Sequence, residues 1–122
     1  MNLKTRSKKE HITGIVEEIE NAGYLENTIF ISFSAQNLIY IREIKPTQNV
    51  QFLTDNFNSD VLELLLSNRF DLDINYTSLS SEIISQCHDN DIKVNCWTVN
   101  EPADAERLID YGVDYITTNI IE

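Results

Sequence analysis

An α/β fold built from parallel strand–helix repeats is predicted by three features of the sequence. Short β-branched and aromatic runs alternate with helix-like stretches along the whole chain. The strand-like runs begin near positions 28, 50, 71, 92 and 113, spaced by about 21 residues, with one helix in each interval. The stretch from Asp91 to Asn119 holds an entire strand–helix–strand unit in one pass. At 122 residues the chain is one domain at most, and long enough to bury a core.

Each element has a local reason. Lys8 to Ala22 places Ile12, Ile15, Val16 and Ile19 at i, i+3, i+4 and i+7, with Glu17, Glu18 and Glu20 outside and Gly23 as a stop, so it reads as an amphipathic helix. Thr28 to Ser34 is a strand, and Gln36 to Ile44 a helix closed by Lys45-Pro46. Val50 to Thr54 is the next strand. Asn58-Ser59-Asp60 caps a helix from Val61 to Ser67, apolar nearly all round, which suits tight packing between neighbours. Asp71 to Tyr76 is a strand, and Ser80-Ser81-Glu82 opens a helix that runs to His88 or Asp89. Ile92 to Val99 is a strand, Asn100-Glu101-Pro102 starts the helix Ala103 to Tyr111, Gly112 ends it, and Val113 to Thr118 is the last strand.

Two architectures fit such a repeat: an open doubly wound sheet and a (β/α)8 barrel. A leucine-rich repeat lacks its ladder of Leu and Asn here. Strands buried on both faces are continuously apolar, whereas Ile92, Val94 and Cys96 alternate with Lys93, Asn95 and Trp97. That alternation favours the barrel. Five strands cannot close an eight-stranded barrel, which needs at least about 200 residues. The predicted fold is therefore a partial (β/α)8 TIM barrel, about four β/α repeats plus the end of a preceding strand.

Charge excludes several functions. The net charge is −11, and four of the nine basic residues (Lys4, Arg6, Lys8, Lys9) lie in the first ten positions. An acidic body repels nucleic acid and anionic membrane, so no nucleic-acid partner is expected. No apolar run approaches the roughly 20 residues needed to span a bilayer. The basic opening has no apolar segment behind it and is no secretory signal, which predicts a cytoplasmic protein. Cys87 and Cys96 have neither C-x-x-C spacing nor a histidine cluster, and read as buried free thiols.

In a barrel, functional groups sit at the C-terminal ends of strands. That rule selects Ser32 and Ser34, Thr54 and Asp55, Asn75 and Tyr76, Trp97 and Asn100, and Thr118 and Asn119. These are mostly neutral hydrogen-bonding groups with an aromatic, suited to holding a polar ligand rather than attacking it. Asp71 and Asp73 could pair as metal-binding carboxylates, but fall near the start of their strand, the stability end. His88-Asp89-Asn90-Asp91 also precedes a strand, and His11 lies on the polar side of the first helix. No catalytic residue is assigned.

The run Ile92-Lys93-Val94-Asn95-Cys96-Trp97-Thr98-Val99-Asn100, followed by Ala105-Glu106-Arg107-Leu108-Ile109, Gly112-Val113-Asp114 and Thr118-Asn119, resembles the C-terminal end of glycerophosphodiester phosphodiesterases. Ile31-Ser32-Phe33-Ser34 with Leu38 and Pro46 resembles the family's S-F segment, and Leu3-Lys4-Thr5 the tail of its E-x-K motif. The resemblance covers nearly the whole chain and makes residues 1–122 the C-terminal half of such a domain. It implies a (β/α)8 barrel and metal-dependent hydrolysis of glycerophosphodiesters to glycerol phosphate and an alcohol, within phospholipid metabolism. It also implies that Lys4 faces the substrate phosphate, Ser32 and Phe33 lie on the glycerol side, and Trp97 lines the pocket. The family's H-R-G, E-x-D and D-x-x-H segments, which carry the catalytic histidines and ligands of a divalent metal (Mg or Ca), are absent. Asn2 stands where the family has a metal-binding Glu, and Ile120-Ile121 follow the final Asn where a proline is common. No cofactor is expected to be retained by this chain, which reads as a fragment inactive alone. A glycerophosphodiester substrate is expected if the barrel is completed. The alternative is a non-catalytic half-barrel module that pairs in a homo-oligomer or with a complementing chain.

Overall fold

The computed structural model of the chain describes residues 7–119. Within them, helix α1 (Lys8–Asn21) leads into β1 (Phe30–Ser32), α2 (Ala35–Ile44), β2 (Val50–Thr54), α3 (Ser59–Asn68), β3 (Asp71–Asn75), α4 (Ser81–Asp89), β4 (Val94–Trp97), α5 (Pro102–Tyr111) and β5 (Tyr115–Ile116). The strands form one sheet in the order β1-β2-β3-β4-β5, every pair parallel. A doubly wound sheet reverses its strand order at a switch point; this one advances in one direction, as a barrel wall does. Right-handed crossovers then put the helices on a single face.

Side-chain alternation separates that helix-covered face from the inner one. Val50, Leu72, Ile74, Val94 and Cys96 are buried in a common core with Leu38, Leu65, Ile84, Cys87 and Leu108. The register holds their rows together, pairing Phe52 with Leu72, Leu72 with Val94, and Ile74 with Cys96. Each fully buried aliphatic side chain contributes roughly 1.5–3 kcal/mol. The opposite face carries Ile31, Gln51, Asp73, Asn95 and Tyr115. Both thiols are free and buried, and burial pushes each up to about 11, so neither is a reactive thiolate at neutral pH.

The strand ends depart from the sequence reading where a local hydrogen bond competes with the ladder. Thr28 closes a short 3-10 turn (Leu25–Asn27), and its Oγ1 donates to the Tyr24 carbonyl at 2.8 Å, so β1 starts only at Phe30. Ser34 leaves the strand to cap α2, its hydroxyl accepting from Asn37 N at 3.3 Å. Ile92 and Lys93 stay outside β4, and β5 is cut to two residues. At the N-terminal end of the sheet, Arg42 donates from Nε to Asn68 O (3.1 Å), from Nη1 to Pro46 O (2.9 Å) and Gln48 O (2.6 Å), and from Nη2 to Arg69 O (2.7 Å). One planar guanidinium thereby fixes the turns that lead into β2 and β3.

Candidate functional site

The C-terminal ends of the strands carry two polar clusters with Trp97 between them. In the first, Asn75 Nδ2 donates to Asp55 Oδ1 at 3.3 Å, while Asn75 Oδ1 accepts from Thr77 N (3.1 Å) and Thr77 Oγ1 (2.9 Å). Ser78 Oγ reaches Asn56 Oδ1 at 3.4 Å, and Thr54 Oγ1 donates to the Asn56 carbonyl at 3.1 Å. These bonds tie the end of β2 to the end of β3. In the second, Asn100 Oδ1 accepts from Thr118 Oγ1 at 3.3 Å and from Asn119 N at 3.0 Å, linking the ends of β4 and β5. Trp97 is in register with Asn75, is half-buried, and directs Nε1 towards the Asp73 carbonyl at 3.4 Å. The Trp97–Thr98 peptide is cis.

The predicted residues divide accordingly. Asp55 and Asn75 meet in one rim cluster, with Thr54 bonded to the neighbouring Asn56, and Asn100, Thr118 and Asn119 meet in the other; Trp97 stands at the end of β4 in register with Asn75, and Ser34 caps α2. Tyr76 opens a short 3-10 turn (Tyr76–Ser78) and packs against the core. Ser32 does not meet them: its register partner is Phe52, which puts it on the helix side of β1, and its hydroxyl accepts from Ser34 N at 3.0 Å. Phe33, just past β1, is 79 % exposed. Lys4 lies outside the described residues. His88 Nε2 lies 2.7 Å from Asp114 Oδ2, which also accepts from Val94 N at 2.7 Å, so this pair braces the N-terminal end of β4, away from the rim.

A polar row on the inner face was not singled out by the sequence reading. Gln51, Asp73 and Asn95 are buried, and with Thr117 they recur every 22 residues along the chain. Asn95 Nδ2 donates to Gln51 Oε1 at 2.9 Å, and Asn95 Oδ1 accepts from Thr117 Oγ1 at 3.1 Å. The Gln51–Asn95 bond joins alternate strands, the layering of a barrel interior. Asp73 was expected at the stability end; its side chain instead sits mid-sheet, 3 % exposed, with Oδ1 unpartnered. Burial pushes its carboxyl up from 3.8 to about 6. The regular 22-residue spacing was the signal available in the sequence.

A divalent cation does not fit the side chains described. Hard cations take several carboxylate oxygens; Asp55 is the carboxylate of the first cluster and is bonded to Asn75, and the second cluster is built on amides and a hydroxyl. Among the described residues no group of three or more His, Cys, Asp or Glu could hold a metal ion. Nor is any helix among them long and apolar enough to cross a membrane.

A one-directional parallel sheet with helices on one face, a polar inner layer and a polar C-terminal rim defines part of a (β/α)8 barrel that presents hydrogen-bonding groups where such barrels hold ligands. Sequence comparison makes the assignment narrower. Residues 4–122 match the glycerophosphoryl diester phosphodiesterase family model, and the chain belongs to that family. It is 26 % identical over 109 residues to a glycerophosphodiester phosphodiesterase of Caldanaerobacter subterraneus subsp. tengcongensis, covering 86 % of this chain and 44 % of the relative. The crystal structure of a glycerophosphodiester phosphodiesterase from Parabacteroides distasonis is 25 % identical, with a TM-score of 0.80, over 94 % of this chain and 50 % of that one. A phosphodiesterase from Oleispira antarctica, solved with the product sn-glycerol-3-phosphate, shares the fold at 20 % identity and a TM-score of 0.81, over 91 % of this chain and 46 % of that one. The chain thus spans about half the length of the relatives it matches.

Proposed function

We propose that this chain is the C-terminal half of a glycerophosphodiester phosphodiesterase barrel, a cytoplasmic fragment of the phospholipid-degrading machinery that lacks activity alone. The family match over residues 4–122 carries this reading. In the completed barrel Trp97 lines the substrate pocket, Lys4 meets the phosphate, and Ser32 and Phe33 border the glycerol side. Of these, Trp97 has the strongest support, since it stands at a strand end between the two polar clusters. Ser32 has the weakest, because its hydroxyl already serves the turn into α2.

Hydrolysis needs an acid and a base within hydrogen-bond reach of the reacting oxygens. The chain's two histidines lie elsewhere, His11 in α1 and His88 in α4 against Asp114. Its residues can bind and orient a polar diester, and the proton transfers and the metal would come from the other half. Purified chain incubated with glycerophosphocholine and Mg2+ or Ca2+ is expected to release no glycerol 3-phosphate above a Trp97→Ala control. Release above that control would overturn the inactivity.

A second reading, a non-catalytic half-barrel that pairs with another chain, is favoured by one observation: among the described residues β1 and β5 are both edge strands. Unpaired parallel edges are normally covered. Size-exclusion chromatography with light scattering distinguishes the two, since a well-behaved monomer argues against pairing with itself.

A further inference from the structure

Two arginines converge on one cleft at the N-terminal end of the sheet. Pro46 O accepts from Arg42 Nη1 at 2.9 Å and from Arg69 Nη2 at 3.3 Å, so a single neutral oxygen stands between two guanidinium groups. Like charges this close repel. In a chain of net charge −11 carboxylates are plentiful, yet none among the described residues forms an ion pair with either arginine, whereas Lys9, Lys45 and Arg107 pair with Glu43, Glu20 and Asp104. Burial, and then Arg69 beside it, hold the Arg42 guanidinium below its ordinary value, with Asp71 acting the other way.

The two side chains differ in freedom. Arg42 is half-buried and spends its N–H groups on the carbonyls of Asn68, Pro46, Gln48 and Arg69, which locks its plane. Arg69 is exposed, and the bond to Pro46 O is the one described for its guanidinium, which leaves most of its N–H donors unspent. It closes α3 at φ 57°, ψ 46°, a left-handed position that glycine commonly takes at helix ends. The cleft encloses about 200 Å³, and Thr47 and Asn49 add neutral polar groups to its lining. Asp71 also lines it, with Oδ1 accepting from Lys93 N at 2.9 Å.

We propose that this cleft binds a phosphate group, held by the donors of Arg69 beside the fixed charge of Arg42. A guanidinium matches phosphate oxygens with paired N–H donors, and the resulting charge-assisted bonds relieve the repulsion between the two arginines. Arg42 contributes its positive field, since its donors are taken by carbonyls. Two guanidiniums against Asp71 leave the local charge positive, and its attraction doubles from a monoanion to a dianion, which favours phosphate over a carboxylate. The cleft lies at the opposite end of the strands from Trp97, so phosphate there does not compete with a ligand at the rim.

The test titrates the whole chain with sodium phosphate, with sodium chloride holding the ionic strength constant, and follows the phosphorus NMR line width and the thermal unfolding midpoint. The line should broaden saturably, and phosphate about tenfold above its Kd should raise the midpoint by about 5 °C. Sodium acetate at the same ionic strength should give a smaller shift. Arg69→Ala should weaken phosphate binding about tenfold or more, as expected when charge-assisted bonds are lost. Arg69→Gly, which suits the left-handed backbone, should lose phosphate equally while its midpoint in chloride is no lower than wild type, and this separates loss of the site from loss of the fold. Absence of a phosphate-dependent shift, undiminished binding by either Arg69 variant, or equal stabilisation by acetate would overturn the proposal.

Discussion

Asp73 is the residue at which the chain departs furthest from what stability alone would select. Burial is the cause of its raised carboxyl, from 3.8 to about 6, with no cation among the described residues to offset it. The sign follows from proton linkage. Between those two values the folded state binds the proton more tightly than the unfolded chain, so stability falls as pH rises from about 4 to 6 and stays lower above that. The amount is on the order of 2–3 kcal/mol. Asp73→Asn, which removes the charge at constant volume, should therefore match wild type in urea unfolding near pH 4 and exceed it by that order near pH 7.5. A variant no more stable than wild type at pH 7.5 would mean that Asp73 is solvated or paired. The sequence showed an aspartate two residues into a strand; it could not show that the flanking strands bury it, because burial depends on side chains far apart in the chain.

Three helices were legible from their starts: Asn58 and Ser80 each accept a hydrogen bond from the backbone N–H three residues on, and α5 begins with Pro102. Ser7 and Ser34 cap α1 and α2 in the same way without having been singled out in the sequence. Small polar residues before an apolar run announce such caps. The short strands were less legible: Thr28 and Ser34 are good strand residues by composition, and both were taken by side-chain bonds to nearby backbone. At the other end of α5, Gly112 adopts φ 96°, ψ 25°, and its N–H bonds the Ile109 carbonyl at 3.0 Å. A Cβ there would meet nothing within 4 Å. Gly112→Ala should then cost only the left-handed backbone penalty, about 1 kcal/mol, read as a lower denaturant midpoint with an unchanged slope. A larger loss would show that the turn into β5 is packed more tightly than its open surroundings indicate.

At the scale of the molecule, the 21-residue rhythm made the parallel architecture readable, while the single direction of strand order, which separates a barrel wall from a doubly wound sheet, emerged only in the fold. The rim clusters were readable as positions but not as partners, since Asp55 and Asn75, or Asn100 and Thr118, meet only through adjacent strands. Among the described residues the wall has two edges, and its strands are unevenly protected. β3 is hydrogen-bonded on both sides over most of its length and lies under the core, whereas among the described residues β1 has one neighbour and β5 pairs through two residues. Local opening costs least where few buried contacts and few ladder bonds must break. Amide hydrogen exchange of the chain alone should therefore place β3 and the buried part of β4 last, with β5 exchanging first and β1 next. Edge strands as slow as β3 would mean that the edges are already covered in solution, either by self-association or by a return of the chain onto its own sheet.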